Sequence, residues 1–104
     1  MITIRLFCAG GFSTSILVKR MEEAAQKRNI DADIKAYPEG VMERVFNEKT
    51  VDVALIGPQI AFTIQKIKKI CDAKGVPFEI IPSLDYGRLN GDKVLDLAFQ
   101  IINM

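Results

Sequence analysis

A cysteine followed by small and hydroxyl-bearing residues lies near the start of the chain. Cys8 comes directly after an apolar segment, residues 2–7. The seven residues that follow it are small or carry a hydroxyl group, apart from one phenylalanine: Ala9, Gly10, Gly11, Phe12, Ser13, Thr14 and Ser15. The backbone N–H groups of such a loop can surround an anion, and a following helix adds partial positive charge at its N-terminus. We therefore predict that Cys8 holds a phosphoryl group on sulfur and that the seven residues bind the phosphate.

The chain contains no histidine. This excludes Ser-His and Cys-His catalytic pairs, histidine metal ligands and a phosphohistidine. If Cys8 is a nucleophile, its thiolate must be stabilised by backbone donors and by the N-terminus of the next helix. The other interpretation of Cys8 is a small buried hydrophobic residue at the end of a strand, because free cysteine often has that role. The following Gly10-Gly11 pair favours the phosphate loop.

Apolar segments and helical patterns alternate along the chain. Strands are predicted at residues 2–7, 32–36, 51–56 and 78–81, and helices at 13–28, 41–47, 58–73 and 91–102. Right-handed crossovers between parallel strands then give an α/β fold, an open four-stranded sheet in the order 2-1-3-4 with helices on both faces. Ligands bind such sheets at the carboxyl ends of the strands. Three predicted loops converge there, at residues 8–15, 57–59 and 82–90.

Length and charge restrict the class of protein. The 104 residues fit a single domain, 1–104, and the net charge of +1 with interspersed signs gives no basis for binding nucleic acid. No uncharged run approaches the roughly 18–20 residues of a membrane span, so we expect no direct membrane insertion. The two cysteines, without an export signal, indicate reduced thiols in the cytoplasm. No metal-ligand spacing is present, and we expect neither a metal nor a cofactor.

The spacing of the cysteine loop invites a comparison with low-molecular-weight tyrosine phosphatases. Those enzymes use a cysteine, five residues, an arginine, and then serine or threonine. The corresponding positions here are Cys8, Thr14 and Ser15, so the loop length matches but the arginine is missing. Comparable arginines contribute on the order of 10³–10⁵ to the rate of other phosphoryl-transfer enzymes. A loop without one suits a carrier that keeps its phosphoryl group until an acceptor arrives.

Three motifs resemble one known family, the lactose/cellobiose (diacetylchitobiose) IIB components of the bacterial sugar phosphotransferase system. The motifs are residues 8–15, the segment 55–61 around Gly57-Pro58-Gln59, and residues 83–87 followed by Asn90-Gly91. The resemblance covers the whole chain. The usual family loop is close to Cys-Ser-Ala-Gly-Met-Ser-Thr-Ser, from which this chain departs by having Ala9, Gly10 and Phe12.

The resemblance implies a fold similar to that of the low-molecular-weight tyrosine phosphatases, and a mechanism. A phosphohistidine on a IIA protein would donate its phosphoryl group to Cys8. The phosphocysteine would then donate it to a sugar bound in the membrane permease IIC, a β-disaccharide such as cellobiose, lactose or diacetylchitobiose. The chain would thus be a protein-phosphocysteine–sugar phosphotransferase, cytoplasmic and peripheral to the inner face of the plasma membrane through IIC.

Four residues are candidates for docking these partners: Phe12, Gln59, Phe62 and Tyr86. Phe62 lies opposite the apolar stripe of the third helix, so it is either exposed near Cys8 or buried under a neighbouring loop. Cys71 lies on that stripe and is predicted to be an inert core thiol.

Two other functions stay open on the residues alone. One is a divergent low-molecular-weight cysteine phosphatase, in which Asp85 would serve as general acid. The other is a flavodoxin-like binding module in which Cys8 is structural. Turnover of an aryl phosphate would distinguish the phosphatase from a carrier. A reactive Cys8 thiol would distinguish a carrier from the binding module.

Overall fold

A computed structural model of the chain contains one four-stranded parallel sheet. The structure describes residues 1–9 and 12–103, except for the side chains of Phe12 and Ser13. The strands are β1 (Ile2–Cys8), β2 (Ala32–Pro38), β3 (Val53–Ile56) and β4 (Phe78–Ile80). Their order is β2-β1-β3-β4, with every neighbouring pair parallel. This confirms the predicted sheet and its strand order.

Five α-helices accompany the strands. They are α1 (Phe12–Lys27), α2 (Met42–Glu48), α3 (Ile64–Lys74), α4 (Ser83–Gly87) and α5 (Gly91–Ile102). Short 3₁₀ helices at Glu39–Val41 and Pro58–Thr63 precede α2 and α3. Helix α3 ends at Gly75, whose φ of 67° is the left-handed conformation that glycine adopts without steric cost.

The sheet separates two hydrophobic cores because successive side chains of a strand point to opposite faces. Ile4 and Leu6 of β1 pack with α1 and α5, whereas Phe7 packs with α2 and α3. Strand β3 divides in the same way, and all four of its residues are buried. Helices therefore cover both faces, as the nearly uninterrupted apolar run of β3 predicts.

Several predicted boundaries and one predicted core residue differ from the structure. Residues 82–90 were expected to form a loop but contain α4. The helix expected from Pro58 begins instead as a 3₁₀ helix, because the backbone at Ile60 has φ −110° and ψ 16°. The helical pattern of residues 13–28 places Ile16 on one apolar stripe with Leu17 and Met21, which predicts burial of all three, but Ile16 is 45% exposed. The outer side of α1 therefore carries an apolar residue near its N-terminus.

Candidate active site

Cys8 occupies the last position of β1, at the carboxyl edge of the sheet. In the parallel ladders, Cys8 pairs with Pro38 of β2, and the preceding Phe7 pairs with Ile56 of β3. The N–H of Gly57 then donates to the carbonyl oxygen of Phe7 at 2.8 Å. The cysteine loop and the segment Gly57-Pro58-Gln59 therefore start side by side, as their positions after adjacent strands predict.

The approach of Gly57 to the cysteine is close. A Cβ placed on Gly57 would lie 3.3 Å from the Cβ of Cys8 and 3.4 Å from the Phe7 carbonyl oxygen. The first distance is tighter than most contacts of a Cβ atom and the second is at the lower limit of ordinary van der Waals contact, so the absence of a side chain at Gly57 lets the two segments approach closely. Any larger residue would press on the backbone that holds the thiol.

The thiol of Cys8 is largely enclosed. Cys8 is 5% exposed, and its Sγ lies 3.9 Å from the carbonyl oxygen of Tyr37 in β2, a weak S–H···O contact. The residue that follows β2 is joined to the 3₁₀ helix Pro58–Thr63, because Thr63 Oγ1 donates to Glu39 Oε2 at 2.9 Å. Three elements thus fix the backbone around the thiol: β1, β2 and the 3₁₀ helix Pro58–Thr63.

The predicted phosphate-binding residues fall into three groups. Ala9 and Ser15 are exposed, whereas Thr14 is buried. Gly10 and Gly11, and the side chains of Phe12 and Ser13, lie outside the described residues. Helix α1 begins at Phe12, four positions after the thiol, and its 16 residues direct a helix N-terminus toward this loop. A strand that ends at Cys8 and a helix that begins at Phe12 are therefore present, as predicted.

A buried pair of hydroxyl groups ties α1 to α4. Thr14 Oγ1 and the phenol oxygen of Tyr86 are 2.7 Å apart, and the two residues are 3% and 7% exposed. Either oxygen can be the donor. Sequence reasoning treated Thr14 as a possible phosphate contact and did not anticipate this bond. The two residues are 72 positions apart, so no local pattern could have indicated it.

The four predicted docking residues do not share one environment. Phe62 is 85% exposed, which removes the alternative of burial under a neighbouring loop, and Gln59 is also exposed. Tyr86 is buried, so the structure places it in the interior rather than on a docking surface. The Phe12 side chain lies outside the described residues. Phe62 and Gln59 both belong to the 3₁₀ helix that follows Gly57.

The second cysteine has a different environment. Cys71 is fully buried in the core between the sheet and α3, and desolvation, with a smaller effect of the neighbouring Asp72, raises the pKa of its thiol to about 11. This agrees with the predicted core role. Among the described residues, no three His, Cys, Asp or Glu side chains form a group that could hold a metal ion.

A parallel sheet of order β2-β1-β3-β4, with a cysteine at the carboxyl end of β1 and a helix that begins four residues later, defines an open α/β domain. A family model described as "PTS system, Lactose/Cellobiose specific IIB subunit" matches residues 3–97. The chain belongs to this family of phosphotransferase system (PTS) subunits.

Individual relatives agree with this assignment. The chain is 38% identical to the galactose-specific EIIB component of Lactococcus lactis subsp. cremoris, over 96% of this chain and 95% of the relative. The cellobiose-specific EIIB component of Lactococcus lactis subsp. lactis matches with the same identity and coverage. The solution structure of a cellobiose-specific IIB component from Borrelia burgdorferi has a TM-score of 0.80 and 42% identity, covering 98% of this chain and 92% of that one.

The family assignment indicates the kinds of protein with which such subunits work. PTS EIIB components work with IIA and IIC proteins, and this chain belongs to their lactose/cellobiose family. In the part of the chain that the structure describes, no helix has the length and apolar character needed to cross a membrane.

Proposed function

We propose that Cys8 carries the phosphoryl group. The observation that supports this most directly is the position of its thiol, at the carboxyl end of β1 and four residues before the N-terminus of α1. A helix N-terminus stabilises nearby negative charge, which favours a bound phosphoryl group. Because the chain has no histidine, a phosphohistidine of its own is not available.

Two transfers make up the proposed reaction. In the first, the thiolate of Cys8 attacks the phosphorus of a phosphohistidine on IIA, so an S–P bond forms as the N–P bond breaks. In the second, a hydroxyl oxygen of the sugar in IIC attacks that phosphorus, the S–P bond breaks, and the hydroxyl proton is released. Both steps require near in-line placement, which positioning and electrostatics supply. The subunit would act at the cytoplasmic face of the membrane, beside IIC.

The proposed phosphate contacts are the backbone N–H groups of residues 9–15, with hydroxyl groups of Ser13, Thr14 and Ser15 assisting. The proposed docking surface comprises Gln59 and Phe62, with Phe12. Phe62 is the strongest member, because a phenyl ring that is 85% exposed has no role in the cores of the domain. The proposed sugar is a β-disaccharide, in line with the cellobiose-specific relative.

An intact-mass experiment tests the carrier function. The chain is incubated with phosphoenolpyruvate, the general PTS proteins and a lactose/cellobiose-type IIA. We expect one phosphoryl group on the wild type, none on Cys8→Ser, and one on the matched variant Cys71→Ser, which removes the other thiol. Adding membranes with the IIC permease and cellobiose should discharge the group.

Absence of an adduct, under conditions in which the same IIA charges an authentic IIB protein, would contradict the proposal. The phosphatase alternative predicts a different result, namely turnover of an aryl phosphate by the wild type and by Cys71→Ser but not by Cys8→Ser. No turnover is expected for the carrier, because Thr14 occupies the position of the phosphatase arginine and is buried against Tyr86.

A further inference from the structure

The hydrogen bond between Thr14 and Tyr86 connects the proposed phosphate loop to a distant element. Thr14 is in the first turn of α1, and Tyr86 is in α4, which follows β4. Both residues are buried, and their oxygens are 2.7 Å apart. A hydrogen bond in the interior is electrostatically stronger than one in water, because the local dielectric constant is low.

We infer that Tyr86 is a positioning residue for phosphoryl transfer, acting through the Thr14 hydroxyl on the first turn of α1. This inference rests on the proposed function. Either oxygen can be the donor, and with the phenol donating to Thr14 Oγ1 the hydrogen bond fixes the threonine rotamer. A hydroxyl has one proton and two lone pairs, so Thr14 can donate its own proton while it accepts from Tyr86. Tyr86 itself does not touch the phosphoryl group.

The location of Tyr86 explains why a tyrosine is needed. Its ring packs in the core that contains Leu17 and Met21 of α1 and Val94 of α5, so the ring is held by packing on several sides. The phenol oxygen of the ring meets the hydroxyl of Thr14 on α1. The rigid ring thus fixes the start of α1 relative to the carboxyl edge of the sheet, which a flexible side chain would not do.

Positioning is important because Cys8 is the one side chain of this protein that the proposed reaction uses to make and break bonds. A misplacement of about 1 Å can cost on the order of 100-fold in the rate of an enzyme step. We expect the loss of this one hydrogen bond to lower the limiting rate of phosphoryl acceptance by about tenfold. The half-saturating concentration of the donor should stay unchanged, because Tyr86 is not on the docking surface.

The test uses Tyr86→Phe, which removes only the phenol oxygen, and Thr14→Val, which removes the other oxygen at similar volume. Single-turnover charging is measured against increasing phosphorylated IIA, giving a limiting rate and a half-saturating concentration for each variant. Tyr86→Phe should lose about tenfold in the limiting rate, and Thr14→Val at least as much, because it also removes the Thr14 hydroxyl itself. The double variant should lose little more than Thr14→Val alone, because that variant has already lost the contact with Tyr86. Thr14→Ser, which restores the hydroxyl, should recover most of the rate lost in Thr14→Val.

Two further measurements separate positioning from general stability. The phosphorus NMR signal of phosphorylated Cys8 should shift in Tyr86→Phe, because the surroundings of the phosphoryl group change. Val51→Ala, which creates a cavity in the opposite core, should lower the urea midpoint but leave the charging rate and the phosphorus signal as in the wild type.

The outcomes are distinct. A wild-type limiting rate in Tyr86→Phe, or an unchanged phosphorus signal, overturns the positioning role while the carrier function stands. A raised half-saturating concentration with an unchanged limiting rate in Tyr86→Phe would assign Tyr86 to docking and would also overturn the positioning role. Failure of the wild type to accept a phosphoryl group overturns the carrier function and this inference together.

Discussion

Gly91, the first residue of α5, lies directly against the backbone of Arg20 in α1. A Cβ on Gly91 would be 2.5 Å from the Arg20 carbonyl oxygen and 2.6 Å from the amide nitrogen of Met21. These neighbours are backbone atoms in the middle of a helix, so they cannot move aside as a side chain would. The close contact sets the distance between the two helices that cover one face of the sheet.

Gly91→Ala should therefore destabilise the protein. Overpacking of a tight contact costs about 1–3 kcal/mol, and a clash with backbone belongs at the upper end. The gain in helix propensity, about 1 kcal/mol, does not offset this cost. Urea unfolding measures the change, with Gly87→Ala as control because nothing lies within 4 Å of a Cβ at Gly87. Equal midpoints for the two variants would show that α1 and α5 can separate without cost.

Gly57→Ala should affect phosphoryl transfer more than stability. The backbone at Gly57 has φ −62° and ψ 141°, which alanine adopts readily, and the nearest obstacle at 2.7 Å is the movable side-chain oxygen of Gln59. We expect a stability change within about 1 kcal/mol. The new methyl would nevertheless press on Cys8, and we expect charging to slow by about tenfold, since small displacements of reacting groups are costly.

The measurement pairs urea unfolding with the rate of charging by phosphorylated IIA. Gly40→Ala is the control, because a Cβ at Gly40 has no neighbour within 4 Å. A wild-type charging rate in Gly57→Ala would mean that the close approach of Gly57 to Cys8 has no bearing on the reaction.

Phe62→Ala should weaken the encounter with the phosphoryl donor without affecting the fold. Phe62 is 85% exposed, so its truncation removes little buried area and should change the stability by less than about 0.5 kcal/mol. An aromatic anchor in an interface is worth about 2 kcal/mol or more, so the half-saturating concentration of IIA should rise at least tenfold. Gln65→Ala, an exposed position of α3, is the control. An unchanged half-saturating concentration would exclude Phe62 from the docking surface.

The sheet could be predicted from sequence because its determinants are local. The apolar run of β3, the alternating pattern of β2 and the glycine after α3 each fix an element or its end without reference to the rest of the chain. The position of Cys8 at the carboxyl edge of the sheet could also be predicted, since the carboxyl ends of parallel strands share one edge.

What the sequence did not predict depends on contacts between distant residues. Helix α4 has five residues, too few to show a helical period, so residues 83–87 resembled a loop. The Thr14–Tyr86 bond joins positions 72 residues apart, and the burial of Tyr86 follows from the packing of α1 and α5 around it. Arg5 is another case. A charged residue within a strand is normally expected at the surface, but Arg5 is only 3% exposed.

Cys71 should resist alkylation in the folded protein. Burial raises the pKa of its thiol from 9.0 to about 11, and only the thiolate reacts. In Cys8→Ser, Cys71 is the remaining thiol of a chain with two cysteines. At pH 8.5 a shift of this size alone leaves roughly a hundredfold less thiolate than in the unfolded chain. Iodoacetamide labelling, followed by mass spectrometry, should therefore be at least roughly a hundredfold slower in buffer than in concentrated urea. Similar rates in the two conditions would show that the core around α3 opens readily.

A partly buried ion pair links β1 to β2. Arg5 Nη2 lies 3.0 Å from Asp33 Oδ2, and Lys49 Nζ lies 2.6 Å from the same oxygen. Arg5 also donates to the carbonyl oxygens of Asp33 and Ile4, at 2.8 and 3.1 Å. The hydrogen bond from Arg5, followed by that from Lys49, lowers the pKa of Asp33 from 3.8 to about 2.

This network makes stability depend on pH in the acid range. Because the folded Asp33 has the lower pKa, the unfolded chain binds a proton first, so the stabilisation is complete above about pH 4 and is lost as the pH falls toward 2. The shift corresponds to about 2 kcal/mol.

Asp33→Asn should be less stable at pH 7 by about 2–4 kcal/mol, since it leaves the charge of Arg5 buried without its partner. The difference from wild type should narrow between pH 4 and pH 2, as measured by urea unfolding at each pH. The exposed Asp31→Asn serves as control and should follow the wild type throughout. A deficit in Asp33→Asn that stays constant from pH 7 to pH 2 would mean that the carboxylate contributes through packing and not through its charge.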